Sequence, residues 1–178
     1  MPPHRIDETR AFVPVRIAVM TVSDTRDESN DTSGDTLEAR IKDAGHIVAT
    51  RLIVRDDRAQ IAAQLRHWIA DPEIDVVIST GGTGLTGRDV TVEAFKSVFE
   101  KEIDGFSVLF HQVLLEKVGT STIQSRACAG LAKGTYLFAL PGSTGAVKDG
   151  WDEILKWQLD IRHRPCNFVE IMPRLTER

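Results

Sequence analysis

The sequence predicts an α/β protein: three layers, with a mostly parallel sheet and helices on both of its faces. Three observations carry that expectation. Runs of apolar and β-branched residues at 16–22, 75–80 and 135–140 lack the polar alternation of a half-exposed strand, as expected of strands covered on both sides. Amphipathic helical patterns separate the strand-like runs. Glycines, short hydroxyl residues and acids collect just after the strands, where open parallel sheets bind their ligands.

In chain order, residues 1–14 read as a mobile arm and 16–22 as the first strand. A polar, acid-rich loop over 23–31 follows, with Asp24, Asp27, Glu28 and Asp31 read as largely solvated. Thr32 or Ser33 caps a helix with Leu37, Ile41 and Ala44 on its apolar face, and Gly45 ends it. Residues 46–54 form a second strand. Asp56 or Asp57 opens a helix carrying Ile61, Leu65, Trp68 and Ile69 on one face, and Asp71-Pro72 stops it. The third strand, 75–80, enters a glycine-rich turn. Two helical patterns follow, around 91–101 and 106–118, joined by Asp104-Gly105. A strand at 135–140 runs through Pro141-Gly142-Ser143 into a last helix with Val147, Trp151, Ile154 and Leu155.

The chain of 178 residues, 42% of them hydrophobic, is long enough for one sizeable core, so a single domain over 15–170 is expected, with 171–178 as a tail. A net charge of −4 argues against a nucleic-acid surface. Cys128 and Cys166 have neither metal nor redox spacing and are expected as reduced packing residues. The histidines show no metal spacing. No apolar run reaches the ~20 residues of a membrane span, and the polar start lacks the apolar core of a signal peptide, so a cytoplasmic protein is expected.

The densest chemistry lies at 75–91. Gly81, Gly82, Gly84 and Gly87 permit positive φ or close approach of a ligand to the backbone. The helix beginning at Thr91 would aim its first amides back at the loop, which attracts anions. Asp89, beside that anion site, could hold a magnesium ion bridging to phosphate oxygens. Each feature also has a plainer reading. The glycines could form only a tight turn, and Asp89 or Asp56 only a cap or first-turn acid. Ser143 could complete a turn, and Arg126 could be a surface ion-pair residue. Two familiar phosphate motifs do not apply. No lysine follows the glycines, as a Walker loop needs. Gly82-Thr-Gly84-Leu-Thr-Gly87 matches a dinucleotide fingerprint, but Asp104, about 20 residues on, lies between helices instead of at the end of a strand.

The chain resembles the MoaB/Mog family of molybdenum cofactor biosynthesis proteins, over roughly residues 13–170. The resemblance is carried by Thr21-Val-Ser-Asp24, Asp31-Thr-Ser-Gly34, Ser79-Thr-Gly-Gly-Thr-Gly84 with Arg88-Asp-Val-Thr91, Gly119-Thr-Ser-Thr122, Gln124-Ser-Arg126 and Leu140-Pro-Gly-Ser143. The segment from Gln158 to Phe168 looks like the MoaB branch. The resemblance implies the molybdopterin-binding α/β fold. It also implies adenylyl transfer, in which the terminal phosphate of molybdopterin attacks the α-phosphate of Mg-ATP and pyrophosphate leaves. Asp89 and Asp56 match the family's essential acids and would act through magnesium. The amides of Gly81, Gly82, Thr83 and Gly84 would cradle phosphate, and Ser143 would bond the pterin or its phosphate. Ser23 and Asp24 would line the nucleotide side, and Ser125 and Arg126 would neutralise anionic substrate. The family assembles as trimers, and the MoaB branch as hexamers built from two trimers. The alternative function is a catalytically silent molybdopterin carrier.

Overall fold

The computed structural model describes residues 3–178. Its elements follow the expected alternation. After a two-residue strand β1 (Arg5–Ile6) come β2 (Arg16–Val22), α1 (Thr32–Asp43), β3 (Ile47–Val54), α2 (Arg58–Ile69) and β4 (Val76–Thr80). Then follow α3 (Thr91–Lys96), β5 (Lys101–Glu102), α4 (Asp104–Val118), a 3-10 turn at Gly119–Gln124, β6 (Cys128–Ala132) and β7 (Thr135–Leu140). The last helix starts as α5 (Thr144–Gly150), widens to a π turn over Trp151–Leu155 and ends as α6 (Lys156–Gln158). A short strand β8 (His163–Arg164) and helix α7 (Phe168–Ile171) complete the chain.

The main sheet has the order β3-β2-β4-β7-β6-β5. β3, β2, β4 and β7 are parallel; β6 and β5 are antiparallel to their neighbours. Side chains alternate between two cores, as the period of two in a strand requires. Ile17, Val19, Val76, Ile78 and Phe138 face the layer built with Leu37, Phe110, Val147 and Trp151. Ala18, Met20, Val77 and Leu137 face the layer of Ile61, Leu65, Trp68 and Phe95. β2, β4 and β7 are thus covered on both sides, which explains why the 16–22 and 75–80 runs carry no polar alternation.

Several boundaries differ from the sequence reading, for identifiable reasons. Asp31, not Thr32 or Ser33, caps α1 by accepting the Gly34 amide at 3.0 Å. It is also fully buried instead of solvated, because Thr21 Oγ1 (2.7 Å) and Arg51 Nη2 (2.8 Å) donate to its carboxylate. The expected 91–101 helix stops at Lys96. The chain turns into β5, with Glu100 N–H on Leu131 O and Ile103 N–H on Ala129 O. Gly130 permits this, since a Cβ there would sit 2.4 Å from Phe99 Cγ. β6 itself, Cys-Ala-Gly-Leu-Ala, has little strand propensity and forms through pairing with β7 and β5. Residues 5–12, expected in a mobile arm, lie against the C-terminal segment. Arg164 Nη2 donates to Asp7 at 2.8 Å, Arg10 Nη1 to Ile161 O at 2.8 Å, and the Phe12 ring packs 5.1 Å from His46. Cys128 is buried as expected, whereas Cys166 is exposed. No helix among the described residues is long and apolar enough to cross a membrane.

Candidate active site at the carboxyl ends of the central strands

β2 and β4 are neighbours, yet the chain leaves them in opposite directions. Ser23 N–H donates across to Val54 O on β3, and Gly81 N–H donates to Leu140 O on β7. A crevice opens where the strand order reverses, the place where open α/β sheets bind ligands. It forms a cleft of about 250 Å³ walled by Ser23, Arg26, Asp56, Gly81, Gly82 and Asp89, with Ser33 from the first turn of α1 and Gly142 from the loop after β7. A larger cavity of about 630 Å³ adjoins it and shares Ser23 and Arg26. Both candidate acids and the glycine main chain converge on the smaller cleft.

The two acids reach the cleft by different routes. Asp57 takes the helix cap of α2, accepting the Gln60 amide at 2.9 Å, and so leaves Asp56 free. The Asp56 carboxylate lies against Gly82: a Cβ on that glycine would be 2.8 Å from Asp56 Oδ1. Burial, then the negative charges of Asp24 and Asp89, push the Asp56 carboxyl above its ordinary value. Asp89 is held by its own loop, with Thr86 N–H at 2.9 Å and Thr86 Oγ1 at 2.7 Å on Oδ2. Burial would raise its pKa, but these hydrogen bonds and one from the Gly84 amide outweigh burial and lower it. Two carboxylates on the wall of one cleft are a setting that suits a divalent cation. Among the described residues no three His, Cys, Asp or Glu side chains converge to hold a metal unaided. Asp56 and Asp89 fit magnesium, which usually takes one or two carboxylates plus phosphate oxygens and water.

The glycines do different jobs. Gly81 (φ +101°) and Gly82 (φ +67°) adopt backbone that side chains disfavour, whereas nothing lies within 4 Å of a Cβ built on Gly87. The Gly81 amide is engaged by Leu140, while the amides of Gly82 and Thr83 have no hydrogen-bond partner among the described residues. The first helical amide, expected to face an anion, instead donates from Thr91 to Gly82 O at 2.9 Å.

Of the remaining expected residues, Ser23 stands in the cleft wall, Asp24 lines the adjoining cavity, and Ser125, Arg126 and Ser143 line neither. Asp24 accepts Arg88 Nε (3.0 Å) and Nη2 (2.7 Å) and the Asp56 amide (3.2 Å), so it ties the first loop to the glycine loop. Ser143 caps α5 by accepting the Ala146 amide at 3.1 Å. The Ser125 carbonyl lies 2.8 Å from His111 Nε2. Arg126 donates to Thr83 O, Gly84 O and Glu93. Ser23 Oγ accepts the amides of Thr25 and Arg26, which leaves its hydroxyl proton to donate. Sequence reasoning missed Arg26, the cation in the cleft wall, whose Nη1 donates to Asn30 O and Thr32 Oγ1. Its position two residues after Asp24 was the available signal, obscured by the acids around it.

A family model described as a probable molybdopterin binding domain matches residues 18–161. Molybdenum cofactor biosynthesis protein B of Escherichia coli (strain K12) is 48% identical over 157 residues, which cover 88% of this chain and 92% of that protein. A crystal structure of a molybdenum cofactor biosynthesis protein B superposes with a TM-score of 0.85 at 36% identity, covering 95% of this chain and 100% of that chain. The tungsten cofactor synthesizing protein MoaB from Pyrococcus furiosus gives 0.71 at 37% identity, covering 80% and 91%. The chain shares this fold and these relatives over nearly its whole length, and it belongs to the MoaB/Mog family of molybdenum cofactor biosynthesis proteins.

Proposed function

We propose that this protein is a molybdopterin adenylyltransferase, a nucleotidyltransferase that moves AMP from Mg-ATP to molybdopterin. A terminal phosphate oxygen of molybdopterin forms a bond to the α-phosphorus of ATP, and the bond from that phosphorus to the leaving pyrophosphate breaks. The observation that carries this reading is the convergence of Asp56 and Asp89 on one cleft with the main chain of Gly81 and Gly82. Such a transfer needs in-line positioning and neutralised charge more than covalent help from the protein. The free amides of Gly82 and Thr83 are suited to phosphate oxygens, and Arg26 adds a positive charge at the wall. Magnesium, when bound, would neutralise charge on the reacting phosphates. Asp56 and Asp89 would hold it there, and the adjoining cavity leaves room for the body of a substrate.

We further assign the protein to a homo-oligomer, a trimer or a hexamer of two trimers. Val108, Leu115 and Val118 on α4 and Ile123 in the turn after it are 51–76% exposed, and Val108, Leu115 and Ile123 line an open, largely apolar cavity. Clustered exposure of this kind marks an association surface.

The test is turnover of purified protein with molybdopterin, ATP and magnesium, followed for pyrophosphate and adenylylated pterin. ATP-dependent product that is lost in Asp89→Asn and Asp56→Asn supports the reading. Wild-type turnover in both variants at saturating ATP and magnesium would refute the metal-acid mechanism. No product with molybdopterin still bound would leave a carrier.

A further inference from the structure

Arg126, expected to meet an anionic substrate, is not among the residues of the cleft wall, and its donors are engaged by protein oxygens. Its Nε donates to the carbonyls of Thr83 and Gly84, each at 3.0 Å. Its Nη2 reaches the carbonyl of Asp89 at 3.3 Å, and Nη1 and Nη2 share the carboxylate of Glu93 on α3. A trans peptide points its N–H opposite to its C=O. With the Thr83 carbonyl fixed on Arg126, the Gly84 amide of the same peptide is aimed the other way, and the Asp89 carboxylate lies close beside Gly84. Gly84 makes room for that contact: a Cβ there would lie 2.7 Å from Asp89 Oδ2. Arg126 therefore grips the loop at both of its ends, through Thr83 and Gly84 and through the main chain of Asp89.

From this arrangement we infer that Arg126 is a positioning residue. It locks the peptide planes of the glycine loop so that the Asp89 carboxylate faces the cleft, and it does not itself bind the anionic substrate. The planar guanidinium suits this task, because its fork can hold three carbonyls and a carboxylate at once; a lysine ammonium is a point donor. Glu93 anchors the fork from α3, tying the loop to the helix that follows it.

The inference deepens the adenylyltransferase reading and rests on it for its catalytic consequence, so the test has two separate arms. Hydrogen exchange of amides 82–91 reads the brace without any turnover. In Arg126→Lys these amides should exchange about tenfold faster, with thermal stability nearly unchanged. In the turnover arm, kcat should fall by about 100-fold while KM for molybdopterin stays within about twofold. Glu93→Gln should change both in the same direction, more weakly, and it carries the test if Arg126→Lys fails to fold. Unchanged loop exchange in both variants would overturn the inference. So would a raised KM with unchanged kcat in Arg126→Lys, paired with a lowered KM when Glu93→Gln frees the guanidinium. Absence of turnover in the wild type would overturn the adenylyltransferase reading alone, since exchange still decides the brace.

Discussion

Asp56 and Asp57 are adjacent in sequence, and the fold separates their roles completely. Asp57 accepts the Gln60 amide and starts α2, while Asp56 lies in the cleft against Gly82 with its carboxyl raised by burial and by Asp24 and Asp89. Asp57→Ala should lower stability by about 1 kcal/mol through loss of the cap and keep turnover. Asp56→Asn should leave stability near wild type and abolish turnover. Denaturant unfolding and pyrophosphate release, measured on both variants, check this division; the reverse pattern would mean the roles are exchanged.

The glycines of the loop should respond unequally to alanine. At Gly82 the new Cβ would press within 2.3 Å of Thr91 Oγ1 and 2.8 Å of Asp56 Oδ1, in backbone with positive φ. Gly82→Ala should therefore destabilise by about 1–3 kcal/mol and impair turnover. Gly87→Ala meets nothing within 4 Å and should be silent in thermal unfolding. Equal effects at the two positions would show that the loop is not held as described.

His46 should make the fold acid-sensitive. The ring is buried, and its Nδ1 accepts the Val15 amide at 3.1 Å, so the neutral form is required. Burial lowers its pKa from 6.5 to about 4, partly opposed by Asp160. A histidine with a depressed folded pKa contributes its full stability above the unfolded value. That contribution is lost as pH falls from about 6.5 through about 4, by up to roughly 3 kcal/mol. Denaturation midpoints across this window should drop in the wild type, and the slope should flatten in His46→Gln. A slope unchanged in the variant would assign the acid sensitivity to other groups.

The α4 surface should govern self-association. Val108→Glu combined with Ile123→Glu places charge where 66% and 76% exposed apolar side chains stand. Sedimentation should show the wild-type chain of 19.7 kDa in a trimer or hexamer and the double variant as a monomer. A monomeric wild type would remove the oligomer from the proposal.

Local rules acting on local sequence made most of the architecture legible. Continuous apolar runs at 16–22, 75–80 and 135–140 mark strands buried on both sides, and they became β2, β4 and β7. Gly81 and Gly82 announced the special backbone at the end of β4, because only glycine adopts it at little cost. What stayed illegible depends on partners far away in the chain. β6, poor in strand formers, exists because β5 and β7 pair with it. Asp31 looked like one more loop acid until Thr21 and Arg51 enclosed it. The choice between Asp56 and Asp57 could not be made from adjacent residues of the same type. Arg126, 37 positions from Asp89, meets that residue's carbonyl only once α4 and β6 have brought the chain back. Sequence thus determined most of the strands and helices and which loops gather the candidate acids and glycines, since those depend on residues close together in the chain. Tertiary structure decided which acid faces the cleft and which cation braces it, since hydrogen bonds and charge act through space and their partners are set by the packing of the sheet.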